Sequence, residues 1–148
     1  MEYDQSKHDP ARYESDRTAR KKLNLEAYRA QNRLLLFFAP SSEHDTYQQQ
    51  QAALEGYATQ MEERDLLTFS LFEAAPSYAG SVEVDRADVD KLWADHDVQH
   101  REFTVLLIDK DGREKLRQHH PLSADALMHL IDSMSTRQQE VEQRENEA

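Results

Sequence analysis

The sequence predicts an α/β fold of element order β-α-β-α-β-β-α, a four-stranded mixed sheet in spatial order 2-1-3-4 flanked by helices. Three observations predict it. The run Leu34-Leu35-Leu36-Phe37-Phe38-Ala39 is apolar at every position and closes at Pro40, as a central strand covered on both faces does. Strand-type and helix-type periodicities then alternate along the chain. Finally, Asp109-Lys110-Asp111-Gly112 separates two strand-like segments, and Asp-Gly supplies the positive φ that a tight reversal requires.

The elements follow in order. After the first strand, Tyr47, Leu54, Tyr57, Ala58 and Met61 form one stripe on a 3.6-residue period, which predicts a helix. Ser42 or Asp45 is its expected cap, because Ser42-x-x-Asp45 and Asp45-x-x-Gln48 both have capping-box spacing. Asp65 to Phe72 is the second strand, with Leu67, Phe69 and Leu71 alternating against Thr68 and Ser70. The Pro, Gly and Ser content of Ala74 to Ser81 predicts a loop. A short helix around Asp88 to Asp95 offers Val89, Leu92 and Trp93 to the core. Phe103 to Ile108 is the third strand, rich in β-branched and aromatic side chains. The fourth, near Arg113 to His119, carries Glu114, Lys115 and Arg117, charges that keep an edge strand from pairing with other chains. The last helix starts after Pro121-Leu122 with Ser123 as N-cap and bears Leu127, Leu130, Ile131 and Met134.

Composition bounds what such a fold can do. The chain has 148 residues, 38% hydrophobic and 32% charged, enough for one modest core. Its net charge of −11 excludes a general nucleic-acid binder and disfavours anionic membranes and phosphate ligands. There is no cysteine, which excludes disulfides, thiolate metal sites and dithiol redox chemistry. The longest apolar run is far short of the roughly 20 residues a membrane span needs. The first residues lack the cationic start and apolar segment of a secretory signal, so a cytoplasmic location is expected. Residues 1–22 mix both charges with almost no aliphatic side chains and are expected as a mobile arm. Residues 23–140 make the domain, and residues 141–148 a tail that extends the last helix and frays.

The end of the first strand carries a recognisable pattern. Phe37-Phe38-Ala39-Pro40-Ser41-Ser42-Glu43-His44-Asp45 resembles the thioredoxin motif of an aromatic pair, Ala, Pro and a Cys-x-x-Cys stretch. In that register Ser42 replaces the attacking cysteine and Asp45 the second one. A serine hydroxyl is essentially un-ionised near neutrality, so it performs no disulfide exchange. The proline that thioredoxins carry before the third strand is also missing, since the stretch here is His100-Arg101-Glu102-Phe103.

A wider resemblance covers roughly Leu23 to Glu140. It is carried by Asn32-Arg33-x-Leu35-x-x-Phe38-Ala39-Pro40 with Tyr47, Gln51, Leu54 and Glu63-Arg64-Asp65-Leu66. Val105-x-Leu107-Ile108-x-Lys110-Asp111-Gly112-x-x-Lys115-Leu116-Arg117 and Ile131-Asp132-x-Met134-x-x-Arg137-x-x-Glu140 complete it. These blocks resemble domain of unknown function 4174, found in small bacterial proteins and related to modules of the vertebrate extracellular proteins Equarin and the sushi-repeat-containing protein. The resemblance implies a thioredoxin-like fold, peroxiredoxin-related in shape, with no established catalytic activity, and its vertebrate relatives suggest adhesion or matrix roles. Ser135 stands where many relatives have proline, which would let the last helix run on into the tail.

The candidate site residues also have ordinary structural roles open to them. Ser42, His44 and Asp45 invite a hydrolase reading, but a nucleophile needs a base within reach and a partner to orient it, and Ser and Asp have capping work here. His96 and His100 have the i, i+4 spacing that puts two imidazoles on one helical face, with Asp95 and Asp97 beside them, a half-supplied metal site. His119-His120 lie on an edge strand, where neighbours face opposite ways. Asn32 and Arg33 enter the first strand and Glu63-Arg64-Asp65 the second; parallel pairing predicts a salt bridge or hydrogen-bond cluster joining Arg33 or Arg64 to Asp65 or Glu63, with a ligand site as the sharper alternative. Trp93, the sole tryptophan, is expected in the core. The leading expectation is a non-catalytic module, without cofactor, that binds another protein. The alternative is a non-redox enzyme using Ser42, His44 and Asp45.

Overall fold

The structure is a computed structural model that describes residue 28 and residues 31–147. The arm expected over residues 1–22 lies outside the described residues. Strand β1 is Arg33–Ala39, followed by α1 (Asp45–Leu54), α2 (Ala58–Glu63) and β2 (Leu66–Phe72). Next come β3 (Ser77–Ala79), β4 (Val82–Val84) and α3 (Arg86–Asp95). The chain ends with β5 (Thr104–Ile108), β6 (Glu114–Gln118), α4 (Ala124–Asp132) and α5 (Ser135–Glu147).

Among the described residues these strands form one six-stranded sheet in the order β4-β3-β2-β1-β5-β6. β1 pairs parallel with β2 from Arg33↔Leu66 to Ala39↔Phe72, and antiparallel with β5. All seven residues of β1 are buried, because a strand with a neighbour on each edge and helices over each face has no free side. Alternation sends Leu35, Phe37 and Ala39 into a core with Tyr47, Leu54, Leu127 and Ile131. It sends Leu34, Leu36 and Phe38 into a second core with Val89, Leu92 and Trp93. Trp93 is 4% exposed and meets Phe38 edge-on, ring centroids 5.1 Å apart.

The four strands expected from sequence occupy the expected order, but the sheet has six strands rather than four. The segment expected as a loop over Ala74 to Ser81 contributes β3 and the turn into β4. Gly80, at φ +62, and Ser81 form a two-residue connection between Ala79 and its partner Val82, and the hairpin buries Ala79 and Val84 against the second core.

Two helices also divide. The stripe from Tyr47 to Met61 is shared by α1 and α2 because Gly56 takes φ +88 between them, a conformation that ends a right-handed helix. Helices α4 and α5 are separate, with a break at Ser133-Met134, so Ser135 does not let one helix run on. Helix α5 continues to Glu147. Ser123 caps α4 as expected, its Oγ accepting from the Ala126 amide at 3.1 Å.

The end of α3 is closed by a Schellman arrangement. The Val98 amide donates to the Trp93 carbonyl and the Asp97 amide to the Ala94 carbonyl, both at 3.1 Å, with Asp97 at φ +53.

Candidate functional site

The C-terminal end of β1 carries the stretch that resembles the thioredoxin motif. There the chain turns through Pro40-Ser41-Ser42-Glu43 into α1. The Ser41 hydroxyl accepts from the Glu43 amide at 3.3 Å, and Gln48 Nε2 donates to the Ser42 carbonyl. The N-cap of α1 is His44, with φ −60 and ψ 131 and no side-chain capping bond. The capping expected of Ser42 or Asp45 is therefore corrected. Ser42 lies two positions before the cap, and Asp45 lies within the first turn, where its carboxylate meets the positive end of the helix.

Ser42 is exposed and its hydroxyl has no hydrogen bond from His44 or Asp45; His44 Nδ1 is buried without a hydrogen-bond partner. A nucleophile and base need to lie within hydrogen-bond reach, and here the three side chains, adjacent in sequence, form no such relay.

His96 and His100 do not share a helical face. Helix α3 ends at Asp95, and the left-handed Asp97 turns the chain between the two histidines. Instead His100 stacks on Trp93, centroids 4.7 Å apart and planes 12° from parallel, with its Nδ1 3.7 Å from Glu73 Oε2. The His96 carbonyl accepts from Arg117 at 2.7 Å. His119 Nδ1 lies 3.1 Å from the Thr104 hydroxyl and 3.2 Å from the Phe103 carbonyl. Among the described residues no three His, Asp or Glu side chains are grouped to hold a metal ion.

The densest polar constellation lies at the opposite end of the sheet. Parallel pairing brings the entrances of β1 and β2 together, and the Arg33 amide donates to the Asp65 carbonyl at 2.8 Å. The Arg33 side chain is fully buried. Its Nη1 donates to the Arg64 carbonyl at 2.8 Å and to Glu140 Oε1 at 3.2 Å; its Nη2 donates to Thr136 Oγ1 at 3.1 Å and to Glu140 Oε2 at 3.2 Å. Its Nε makes an ion pair with Asp109 Oδ1 at 3.1 Å, without hydrogen-bond alignment. The Thr136 hydroxyl, accepting from Arg33, donates onward to Asp109 Oδ2 at 2.8 Å. Lys110 Nζ donates to Asp65 and to Glu140, each at 2.7 Å.

Burial by itself would push the Glu140 carboxyl up, but hydrogen bonds from Lys110 and Arg33, with their charges, outweigh it and hold it at about 2. Arg64 makes a two-pronged bond to Asp132, both contacts at 2.9 Å, and that bond, against the opposing cost of burial, holds the Asp132 carboxyl below the usual range.

The cluster expected at the strand entrances is present, in the main-chain bond from Arg33 to Asp65 and the Arg64–Glu63 ion pair, but most of its contacts go to other partners. Only the Arg64–Glu63 contact, at 3.8 Å, joins two residues of the expected set side chain to side chain. The main partners, Asp109, Thr136 and Glu140, come from the end of β5 and from α5. One signal pointed to them: a guanidinium at the head of a wholly apolar strand must be neutralised wherever that strand is buried. Gln50 was also missed, though it sits on the stripe between Tyr47 and Leu54. Its amide donates to the Leu122 carbonyl at 2.9 Å and accepts from the Leu122 amide at 2.7 Å, tying α1 to the entrance of α4.

Comparison with known proteins gives the same fold. The chain resembles the Plasmodium yoelii thioredoxin peroxidase I structure with a TM-score of 0.58 and 17% identity, covering 79% of this chain and 80% of that one. It resembles reduced Plasmodium vivax 2-Cys peroxiredoxin with a TM-score of 0.59 and 15% identity, covering 79% and 85%. A thiol:disulfide interchange protein from Bacteroides sp. matches with a TM-score of 0.57 and 12% identity over 77% and 79%. At these identities the likeness establishes the thioredoxin-like fold alone. The chain is 25% identical over 125 residues to sushi repeat-containing protein SRPX2 of Xenopus laevis, a match covering 82% of this chain and 27% of that protein. The chain thus spans about a quarter of the length of this relative. Among the described residues no helix is long and apolar enough to cross a membrane. Residues 24–140 match the family described as Domain of unknown function (DUF4174), and the chain belongs to that family.

Proposed function

We propose that this domain is a non-catalytic binding module, a thioredoxin-like scaffold that works by contact with another protein. One observation carries the reading: at the position where the fold presents its attacking thiol, the chain has an exposed Ser42 to which no base among the described residues is hydrogen-bonded, and no cysteine exists elsewhere to substitute. An alkyl hydroxyl without a base is a poor nucleophile at neutral pH. The separation of Ser42, His44 and Asp45 into unlinked side chains supports this reading over a non-redox enzyme at the same place. The net charge of −11 favours a basic face on the partner over nucleic acid or an anionic membrane. A cytoplasmic setting is part of the proposal. The fold uses no disulfide, so its stability is indifferent to the redox state around it.

The test is direct. The purified chain is assayed for insulin reduction and for peroxide consumption with dithiothreitol as reductant. Rates equal to the buffer control are expected. Turnover that persists after repurification and is lost in Ser42→Ala would overturn the proposal.

A further inference from the structure

Helix α5 joins the domain without a hydrophobic seam. Ten of its thirteen residues are exposed, including all of residues 141–147, and the one it buries is Arg137. Val141, its only aliphatic side chain, is 37% exposed, and no α5 residue belongs to either core. Helix α4, by contrast, buries Ala124, Leu127 and Ile131, and the link after it buries Met134.

Among the described residues the bonds that hold α5 are polar, and they converge on two side chains. Thr136 accepts from Arg33 and donates to Asp109. Glu140 accepts from both terminal nitrogens of Arg33 and from Lys110. Arg137 and Arg144 add bonds to the Glu63 carbonyl, at 3.2 and 3.3 Å.

Such a joint behaves differently from a packed one. Closing it takes Arg33 and Glu140 out of water, a cost that offsets much of their attraction. Opening it returns both to water, while Arg33 keeps Asp109 as its counter-ion. Neither core loses an α5 side chain when the helix leaves. Once released, α5 has no reason to stay helical, since 13 residues without packing are marginal in water.

We propose that α5 is a releasable strap: it opens and melts as one unit while the six-stranded sheet and α4 stay folded, with Glu140 as its latch. Opening bares the Arg33 side chain, which is fully buried when the helix is closed, and frees Lys110 from one of its two carboxylates. The end of the domain remote from Ser42 thus has two surfaces, one covered by α5 and one with the heads of β1 and β2 uncovered. The strap is independent of how the Ser42 end is read.

Native-state amide hydrogen exchange of the full ¹⁵N-labelled chain tests it. Amides from Gln138 to the end of α5 are expected to share one opening with one denaturant slope, smaller than that of β1. They are expected to exchange at least about 100-fold faster than the amides of Leu35 and Phe37. Protection that declines stepwise toward Glu147, with Glu140 as protected as β1, would be end fraying and would overturn the strap. Equal exchange in α5 and β1, the mark of one cooperative unit, would do the same. Glu140→Lys sets a further cation against Arg33 and Lys110 and is expected to hold α5 open. Its amides then lose their protection and resonate as disordered chain, while those of β1 stay protected. A variant that keeps α5 protected, or that loses β1 protection together with it, would refute the proposal.

Discussion

Glu140 accepts hydrogen bonds from both terminal nitrogens of Arg33, each at 3.2 Å, across 107 positions of sequence. The pair fastens α5 to the head of the central strand. Helix α5 has no apolar seam to do this, since the residue it buries is Arg137, which donates to the Glu63 carbonyl at 3.2 Å and to Glu140 at 3.3 Å. The C-terminal helix is therefore held chiefly by charge, at the end of the sheet remote from Ser42.

Arg33→Met is expected to destabilise the domain by about 3–5 kcal/mol, because it strands the carboxylate of Asp109, which is 2% exposed, without a cation. Urea denaturation followed by far-UV circular dichroism measures this. A loss below about 1 kcal/mol would contradict the account of the cluster, since exposed ion pairs lie in that range.

The same cluster sets a pH dependence. The Glu140 carboxyl falls from 4.5 to about 2 on folding, so between these values the unfolded chain binds more protons than the folded one, and stability rises with pH. The contribution, about 3 kcal/mol at most, is present above the unfolded value and is lost as pH falls from 4.5 through 2. Glu140→Gln is expected to flatten the stability profile over that window while lowering stability at neutral pH. An unchanged acid slope in the variant would refute the assignment to Glu140.

Two serines at helix entrances separate capping from mere proximity. Ser123→Ala removes an acceptor for the Ala126 amide and is expected to cost about 1 kcal/mol. Ser42→Ala removes no helix cap and is expected to lie within about 0.5 kcal/mol of the parent. Thermal unfolding of both proteins side by side decides the matter, and equal losses would restore Ser42 as a cap.

Asp97 occupies a position that favours glycine. Its φ of +53 closes the Schellman end of α3, and Asp97→Gly is expected to stabilise the domain by up to about 1 kcal/mol through relief of that conformation. Asp97→Asn, which tolerates the same backbone, is expected to be nearly neutral. A lower melting temperature for the glycine variant would show that the Asp97 carboxylate contributes more than its backbone costs.

Much of the architecture was readable along the chain because it rests on local rules. The unbroken apolar run of β1, the Asp-Gly reversal before β6 and the Ser123 cap each depend on neighbours a few residues away, and each holds in the structure. The helix stripe from Tyr47 to Met61 failed because periodicity reports which side is apolar, while Gly56 decides whether one helix can carry it. The hairpin of β3 and β4 was hidden for the opposite reason. Three-residue strands are too short for alternation to register, and pairing beside β2 makes them strands.

The candidate site divides in the same way. The absence of a thiol, and with it of dithiol exchange, is a matter of composition and needs no coordinates. The position of Ser42 two residues before the helix cap and the stacking of His100 on Trp93 depend on where helices stop and how they pack. Residue types and their spacing settled the kind of fold and the chemistry it lacks, since both follow from short-range backbone preference and from the side chains present. The partners of Arg33 and the grip of Gln50 on Leu122 were decided only when distant segments met, because the neutralisation of a buried charge or amide is a property of surroundings assembled from across the chain.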